Sequence, residues 1–181
     1  MSKATVYIVL FRGVGGKTQL PVARLRETLA RAGFDKVATY INSGNAVLKS
    51  TLAPDEVAAR VAELCARDFA FDKDVHVVSE ADWRALIDAN PFPEAAATPT
   101  KLHAAVLEAE PAPERVEALR ALAVPGEAVA VLGKVAYLHT PHGFGTSKLA
   151  IRFDKGIGVA NTARNWNTVL KLGEMAAAAA A

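Results

Sequence analysis

Residues 37–50 read VATYINSGNAVLKS. Lys36–Ile41 and Ala46–Lys49 are two short strand-like runs, rich in β-branched and apolar residues, and Asn42-Ser43-Gly44-Asn45 stands between them. Gly and Asn tolerate positive φ, so this spacing predicts a β-hairpin. A hairpin pairs its strands antiparallel, whereas parallel strands need a long crossover. The segment therefore directs the fold away from a parallel α/β sheet and toward α+β.

Upstream, Thr5–Phe11 is a continuous apolar run with β-branched and aromatic residues, which predicts a buried strand. Leu20-Pro21 opens a helix in which Leu25, Leu29 and Ala32 share a face. Glu27 and Arg31 are spaced as an i,i+4 pair, and Gly33 ends the helix. Downstream, Pro54 starts a helix with Val57, Val61, Leu64 and Cys65 on one side, and Asp74–Ser79 is the next strand. The order β-α-β-β-α-β is that of a ferredoxin-like unit. Ser79, with Asp82 three residues on, caps a short helix that turns Trp83, Leu86 and Ile87 inward.

Asn90–Pro99 is a Pro/Ala-rich connector, which sets the expected subdomains at residues 1–90 and 91–181. Beyond it the order recurs. Leu102–Leu107 reads as a strand, Pro113–Leu122 as a helix, and Ala128–Leu132 with Val135–His139 as a hairpin turned by Gly133-Lys134. Helices are expected near Ser147–Phe153 and Thr162–Leu172, the latter with Thr162 as N-cap, Trp166, Val169 and Leu170 facing the core, and Arg164, Asn165 and Thr168 on the other side. The expected fold class is α+β, with duplicated ferredoxin-like units and mostly antiparallel sheets. Ala176–Ala181 extends or frays the last helix and carries no chemistry.

The stretch behind the first strand, Phe11–Thr18 (FRGVGGKT), invites a nucleotide-binding P-loop reading. In G-x-x-x-x-G-K-[ST] the first glycine, counted back from Gly16-Lys17-Thr18, falls on Phe11. Starting from Gly13 leaves a loop two residues short. Neither Val75–Val78 nor Val129–Leu132 ends in the metal-binding Asp such an enzyme uses. Hairpins replace the required crossovers. What survives is a glycine turn beside Arg12 and Lys17, whose amides are expected to lie ahead of a helix N-terminus and to favour an anion.

With 181 residues, 51% of them hydrophobic, and a mean hydropathy of +0.17, the chain can bury an ordinary core. The single cysteine, Cys65, excludes an internal disulfide and fits a reducing compartment. No stretch is long and apolar enough to span a membrane, and the N-terminus lacks a secretory h-region, so the expectation is a soluble cytoplasmic protein with no membrane partner. Charge is uneven. Residues 1–53 carry eight Lys/Arg against two acidic residues, 54–133 seven against fifteen, and 134–172 six against one. Two basic ends around an acidic middle suit one anion-attracting surface.

Three segments, LFRGVGGKTQLPVARLRETLARAGF, VATYINSGNAVLKS and TSKLAIRF with NTARNWNTVLKLGEMA, together resemble an uncharacterised bacterial family, the domain-of-unknown-function family 1697 (DUF1697). The likeness runs from Tyr7 to Met175, and its most specific pieces are Ile41–Asn45 and Ala163–Val169. It implies a ferredoxin-like α+β fold with internal duplication and no established activity. The chain departs from the family pattern at Arg12-Gly13-Val14-Gly15-Gly16-Lys17, two residues short, and at Gly156 and Gly158, which interrupt a helix.

Cations and amide or hydroxyl groups gather at turns and helix starts: Arg12, Lys17, Asn42, Ser43, Asn45, Ser147, Lys148, Arg164, Asn165 and Asn167. A phosphate or polyanion site is built from such groups. Conventional catalytic groups are sparse. Cys65 lies on an apolar helix face, and His139 and His142 lack an evident third metal ligand, so no metal and no cofactor are expected. Ser43 has neither a G-x-S-x-G frame nor a base. The expected function is binding of a phosphorylated small molecule or nucleic acid. The alternatives are an enzyme on a phosphorylated metabolite, with Lys17, Lys148 and Arg164 stabilising developing charge, and a self-associating structural protein. Oligomeric state is left open.

Overall fold

The computed structural model describes residues 3–42 and 44–181. It is α+β, with two antiparallel four-stranded sheets and six α-helices among the described residues. The chain divides into two compact units, Met1–Ala85 with Lys171–Ala181, and Leu86–Leu170.

In the first unit, β1 (Thr5–Phe11), α1 (Val22–Arg31), β2 (Asp35–Thr39), β3 (Asn45–Ser50), α2 (Pro54–Phe69) and β4 (Val75–Ser79) form a sheet ordered β2-β3-β1-β4, and α3 (Glu80–Asp88) follows. β1 is central because both its faces are apolar: Tyr7, Val9 and Phe11 point toward α1 and α2, while Val6, Ile8 and Leu10 on the other face are buried as well. Ala38 of β2 pairs with Val47 and Thr39 with Ala46, which sets the register of the predicted hairpin, and β3 then pairs antiparallel with β1, Val9 opposite Ala46. α1 and α2 seal one face with Leu25, Leu29, Val57, Val61, Leu64 and Cys65. Pro54 starts α2, and Glu56 reaches back to accept the Ala53 N–H at 2.8 Å.

In the second unit, β5 (Leu102–Leu107), α4 (Pro113–Arg120), β6 (Ala128–Leu132), β7 (Val135–His139), α5 (Lys148–Gly156) and β8 (Asn161–Asn165) build a sheet ordered β6-β7-β5-β8 with two helices; α6 (Trp166–Ala180) follows, and from Lys171 onward it belongs to the first unit. The core joins Ala105, Leu107, Ala136 and Leu138 of the sheet to Val116, Leu119, Leu149, Phe153 and Ile157. α5 ends at Gly156, where a Cβ would lie 2.7 Å from Leu119 Cδ2, so the glycine lets α4 and α5 close on each other.

One prediction is corrected here. Thr162 does not cap the last helix. It lies in β8, paired with Val106 of β5, and Asn165 is the cap, accepting the Thr168 N–H at 3.1 Å. Starting the helix three residues later rotates its faces. Trp166 and Val169 are buried as expected, but Thr168 is buried too and Leu170 is 39% exposed. The run Asn-Thr-Ala-Arg-Asn offers few apolar side chains, yet it completes the sheet because its backbone has the open edge of β5 to pair with. The terminal alanines extend α6, with Ala176 and Ala179 buried. Among the described residues no helix is long and apolar enough to cross a membrane.

Candidate functional site

The glycine turn and the hairpin meet at the end of the first sheet where β1 finishes. Phe11 N–H donates to the Gly44 carbonyl at 2.9 Å, and Arg12 N–H to the Asp74 carbonyl at 3.0 Å, so the chain leaves the sheet still tied to both neighbouring segments. Val14 then folds onto Gly44. A Cβ on Gly44 would come within 2.6 Å of Val14 Cγ2 and 2.8 Å of Phe11 Cβ, and its φ is +75°. Only glycine satisfies both the close approach and the left-handed backbone.

Past Val14, Gly15 and Thr18 exchange backbone hydrogen bonds at 2.7 and 2.9 Å, making a tight turn with Gly16 and Lys17 at its tip. Gln19 Nε2 donates to the Gly16 carbonyl at 2.7 Å, and α1 begins only at Val22 behind Pro21, which supplies no side-chain cap. The expectation that the glycine amides lie open ahead of a helix start is therefore corrected: the Gly15 N–H is bonded within the turn. Lys17 is exposed at the tip and Arg12 is half-buried. Asn42 is exposed, whereas Asn45 is buried and its Nδ2 donates to the Tyr40 carbonyl at 3.2 Å, closing the hairpin. Ser43 lies outside the described residues. Lys73, which the sequence reading did not single out, borders the same turn, its Cγ 3.8 Å from where a Gly13 Cβ would stand.

The second unit holds the other candidates. Ser147 is buried and accepts the Ala150 N–H at 3.2 Å as N-cap of α5, leaving Lys148 exposed at the first helical position. Arg164, in β8, donates from Nη1 to Thr162 Oγ1 at 2.6 Å and to the Ala163 carbonyl at 2.8 Å. Burial pushes its guanidinium down to about 10. Asn165 caps α6, and Asn167 is exposed one residue into that helix. His103 of β5 pairs with Asn165, and its ring stacks on Phe144 at 3.8 Å, so the start of α5 and the end of β8 share one end of this sheet. That is the end where β5 begins, while the candidates of the first unit lie where β1, its counterpart in strand order, finishes.

Nucleophile chemistry finds no support at Cys65, which is buried, with its thiol pushed up to about 12 by burial and then by the Asp68 charge. His142 Nε2 lies 3.1 Å from the Pro125 carbonyl.

No curated protein matches the chain. Among solved structures it is similar to the conserved bacterial protein SP0830 from Streptococcus pneumoniae, with a TM-score of 0.76 and 22% identity over 97% of this chain and 99% of that one. At that identity the likeness concerns the fold. The family model described as a protein of unknown function (DUF1697) matches residues 4–137, and the chain belongs to that family.

Proposed function

We propose that the protein is an anion-binding module whose ligand is a phosphorylated small molecule or a nucleic acid. The ligand is taken at the end of the first sheet by Arg12, Lys17 and Asn42, with Lys73 beside them. The observation that supports this is the seating of Val14 on Gly44, which joins the glycine turn to the hairpin and so brings the two segments that carry Arg12, Lys17 and Asn42 to one end of the sheet. Lys17 is presented on a two-residue turn closed by two backbone hydrogen bonds, so its backbone is already placed and only its side chain is ordered on binding. The architecture is read as two ferredoxin-like units. Both sheets share one strand order, and both halves run β-α-β-β-α-β-α.

Fluorescence anisotropy with short single-stranded DNA and RNA, at low and at near-physiological salt, tests the nucleic-acid form, and thermal shift with phosphorylated metabolites tests the small-molecule form. Binding should weaken as salt rises, and Arg12→Ala with Lys17→Ala should cost about tenfold in affinity. No binding of either class, or binding indifferent to that double substitution, refutes the assignment.

A further inference from the structure

The helical layer of the first unit carries a second, separate feature. α1 and α2 run antiparallel. At one end Arg24 Nη2 lies 3.5 Å from the Asp68 carbonyl, and its guanidinium sits 5.1 Å over the Phe69 ring. At the other end Arg60 Nη2 donates to the Ala32 carbonyl at 3.2 Å. Between them runs an open groove of about 700 Å³, into which α1 turns Arg24, Thr28 and Arg31 and α2 turns Arg60, Arg67 and Asp68. Arg24, Thr28 and Arg31 recur at i, i+4 and i+7, and Arg60, Leu64 and Arg67 do the same, so each helix contributes one continuous stripe.

The charge there is one-sided. Four guanidinium groups face one carboxylate, and Arg67 occupies that carboxylate with two hydrogen bonds, at 2.7 and 3.0 Å. The pairing holds the Asp68 carboxyl below its ordinary range. Arg24 is fixed by the Phe69 face and Arg60 by a backbone carbonyl, which orients the two forks and leaves further N–H groups on each. Among the described residues the Arg31 guanidinium makes no hydrogen bond, and the Asp68 carboxylate attracts it through space. The sequence spacing suggested a Glu27–Arg31 pair, but no such pair forms, and Arg31 lines the groove instead.

The shape narrows the ligand. Arg24 and Arg67 share one end and Arg31 and Arg60 the other, and seven residues of helix separate the two pairs by roughly 10 Å along the axis. The volume is that of a small-molecule site. Among the described residues no aromatic side chain lines the groove for base stacking, and Phe69 beside it has one face under Arg24. The corresponding helices of the second unit, α4 and α5, close on each other at Gly156 and Leu119. We infer that the groove between α1 and α2 binds a small ligand carrying a chain of phosphoryl groups, gripped by Arg24 and Arg67 at one end and by Arg31 and Arg60 at the other. Guanidinium forks meet phosphoryl oxygens two at a time, which favours a ligand with oxygens at both ends over a single phosphate.

Isothermal titration of the full chain with inorganic tripolyphosphate, orthophosphate and a short single-stranded oligonucleotide tests this. Tripolyphosphate should bind at least about tenfold tighter than orthophosphate, and Arg31→Gln with Arg60→Gln should weaken it by at least about tenfold, as expected for lost charge-assisted bonds. Asp68→Asn, which removes the internal competitor for Arg67, should tighten it. Urea midpoints near that of the parent chain establish that each variant is folded. Equal affinity for orthophosphate and tripolyphosphate overturns the inference, as does an unchanged affinity in the arginine double variant. Oligonucleotide binding through these arginines without tripolyphosphate binding also overturns it, by making the groove a polymer site. Loss of tripolyphosphate binding in Arg12→Ala with Lys17→Ala, while the groove variant binds normally, overturns it in favour of the sheet end.

Discussion

His103 shows how one residue can be identified from sequence while its state cannot. Its place in the middle of a strand was readable from Leu102–Leu107, but its burial was not. The ring is stacked on Phe144, its Nδ1 is buried without a hydrogen-bond partner, and burial lowers its pKa to about 4 from the usual 6.5. Between those two values the unfolded chain takes up a proton that the folded chain refuses. Stability should therefore fall as pH drops from 6.5 to 4, by on the order of 3 kcal/mol from this residue. Urea denaturation across that range should show a shallower pH dependence in His103→Phe, which keeps the stacking partner and removes the titration. Parallel curves for the two proteins would mean that the ring ionises freely in the fold. Asn45 and Ser147 teach the same lesson: as residue types they suit a binding surface, yet one closes a hairpin and the other caps a helix. Sequence supplies a donor, and only packing decides what it donates to.

Among the elements, those with strong periodicity or turn chemistry were legible. Leu102–Leu107, Ala128–Leu132 and Val135–His139 were readable to the residue because the apolar runs stop at Glu108, at Gly133 and at Thr140-Pro141. β8 was not, because Asn161–Asn165 is polar and lies directly against a helix with no loop between them. The same direct junction occurs at Ser79, whose Oγ accepts the Asp82 N–H at 3.1 Å and donates to the Asp82 carboxylate at 2.7 Å. Each strand thus ends on the residue that caps the next helix. Asn165→Ala should cost about 1 kcal/mol, as should Ser79→Ala, while Asn165→Asp, which keeps an acceptor at the cap, should cost much less. Chemical denaturation of the three variants measures this, and an Asp no better than Ala would show that the cap contributes nothing. The arginine groove escaped sequence reading for a related reason. Arg24, Arg31, Arg60 and Arg67 each look like solvated helix charges until the antiparallel packing of α1 and α2 sets the two stripes side by side.

Across the whole molecule, the hairpin reading excluded a parallel sheet, and both sheets are antiparallel with a common strand order. The course of the chain between the units was not legible. Lys171–Ala181 groups with the first unit although it follows all of the second in sequence. No local pattern encodes this, because an alanine-rich helix end has the same composition wherever it docks. Its consequence is a cooperative dependence of the first unit on the last residues. Leu172, Ala176 and Ala179 form a buried stripe at i, i+4 and i+7, and removing a fully buried leucine alone costs roughly 1.5–3 kcal/mol. Cys65 reports on this unit, since its buried thiol is pushed up to about 12 and reacts only when the surrounding core opens. A chain ending at Leu170 should therefore be alkylated at Cys65 at least about tenfold faster than the full chain under native conditions, the opening equilibrium shifting by a factor of ten for each 1.4 kcal/mol lost. Equal labelling rates would mean that the last helical turns add nothing to the first unit, whose stability would then reside wholly in the strands and helices before Leu86.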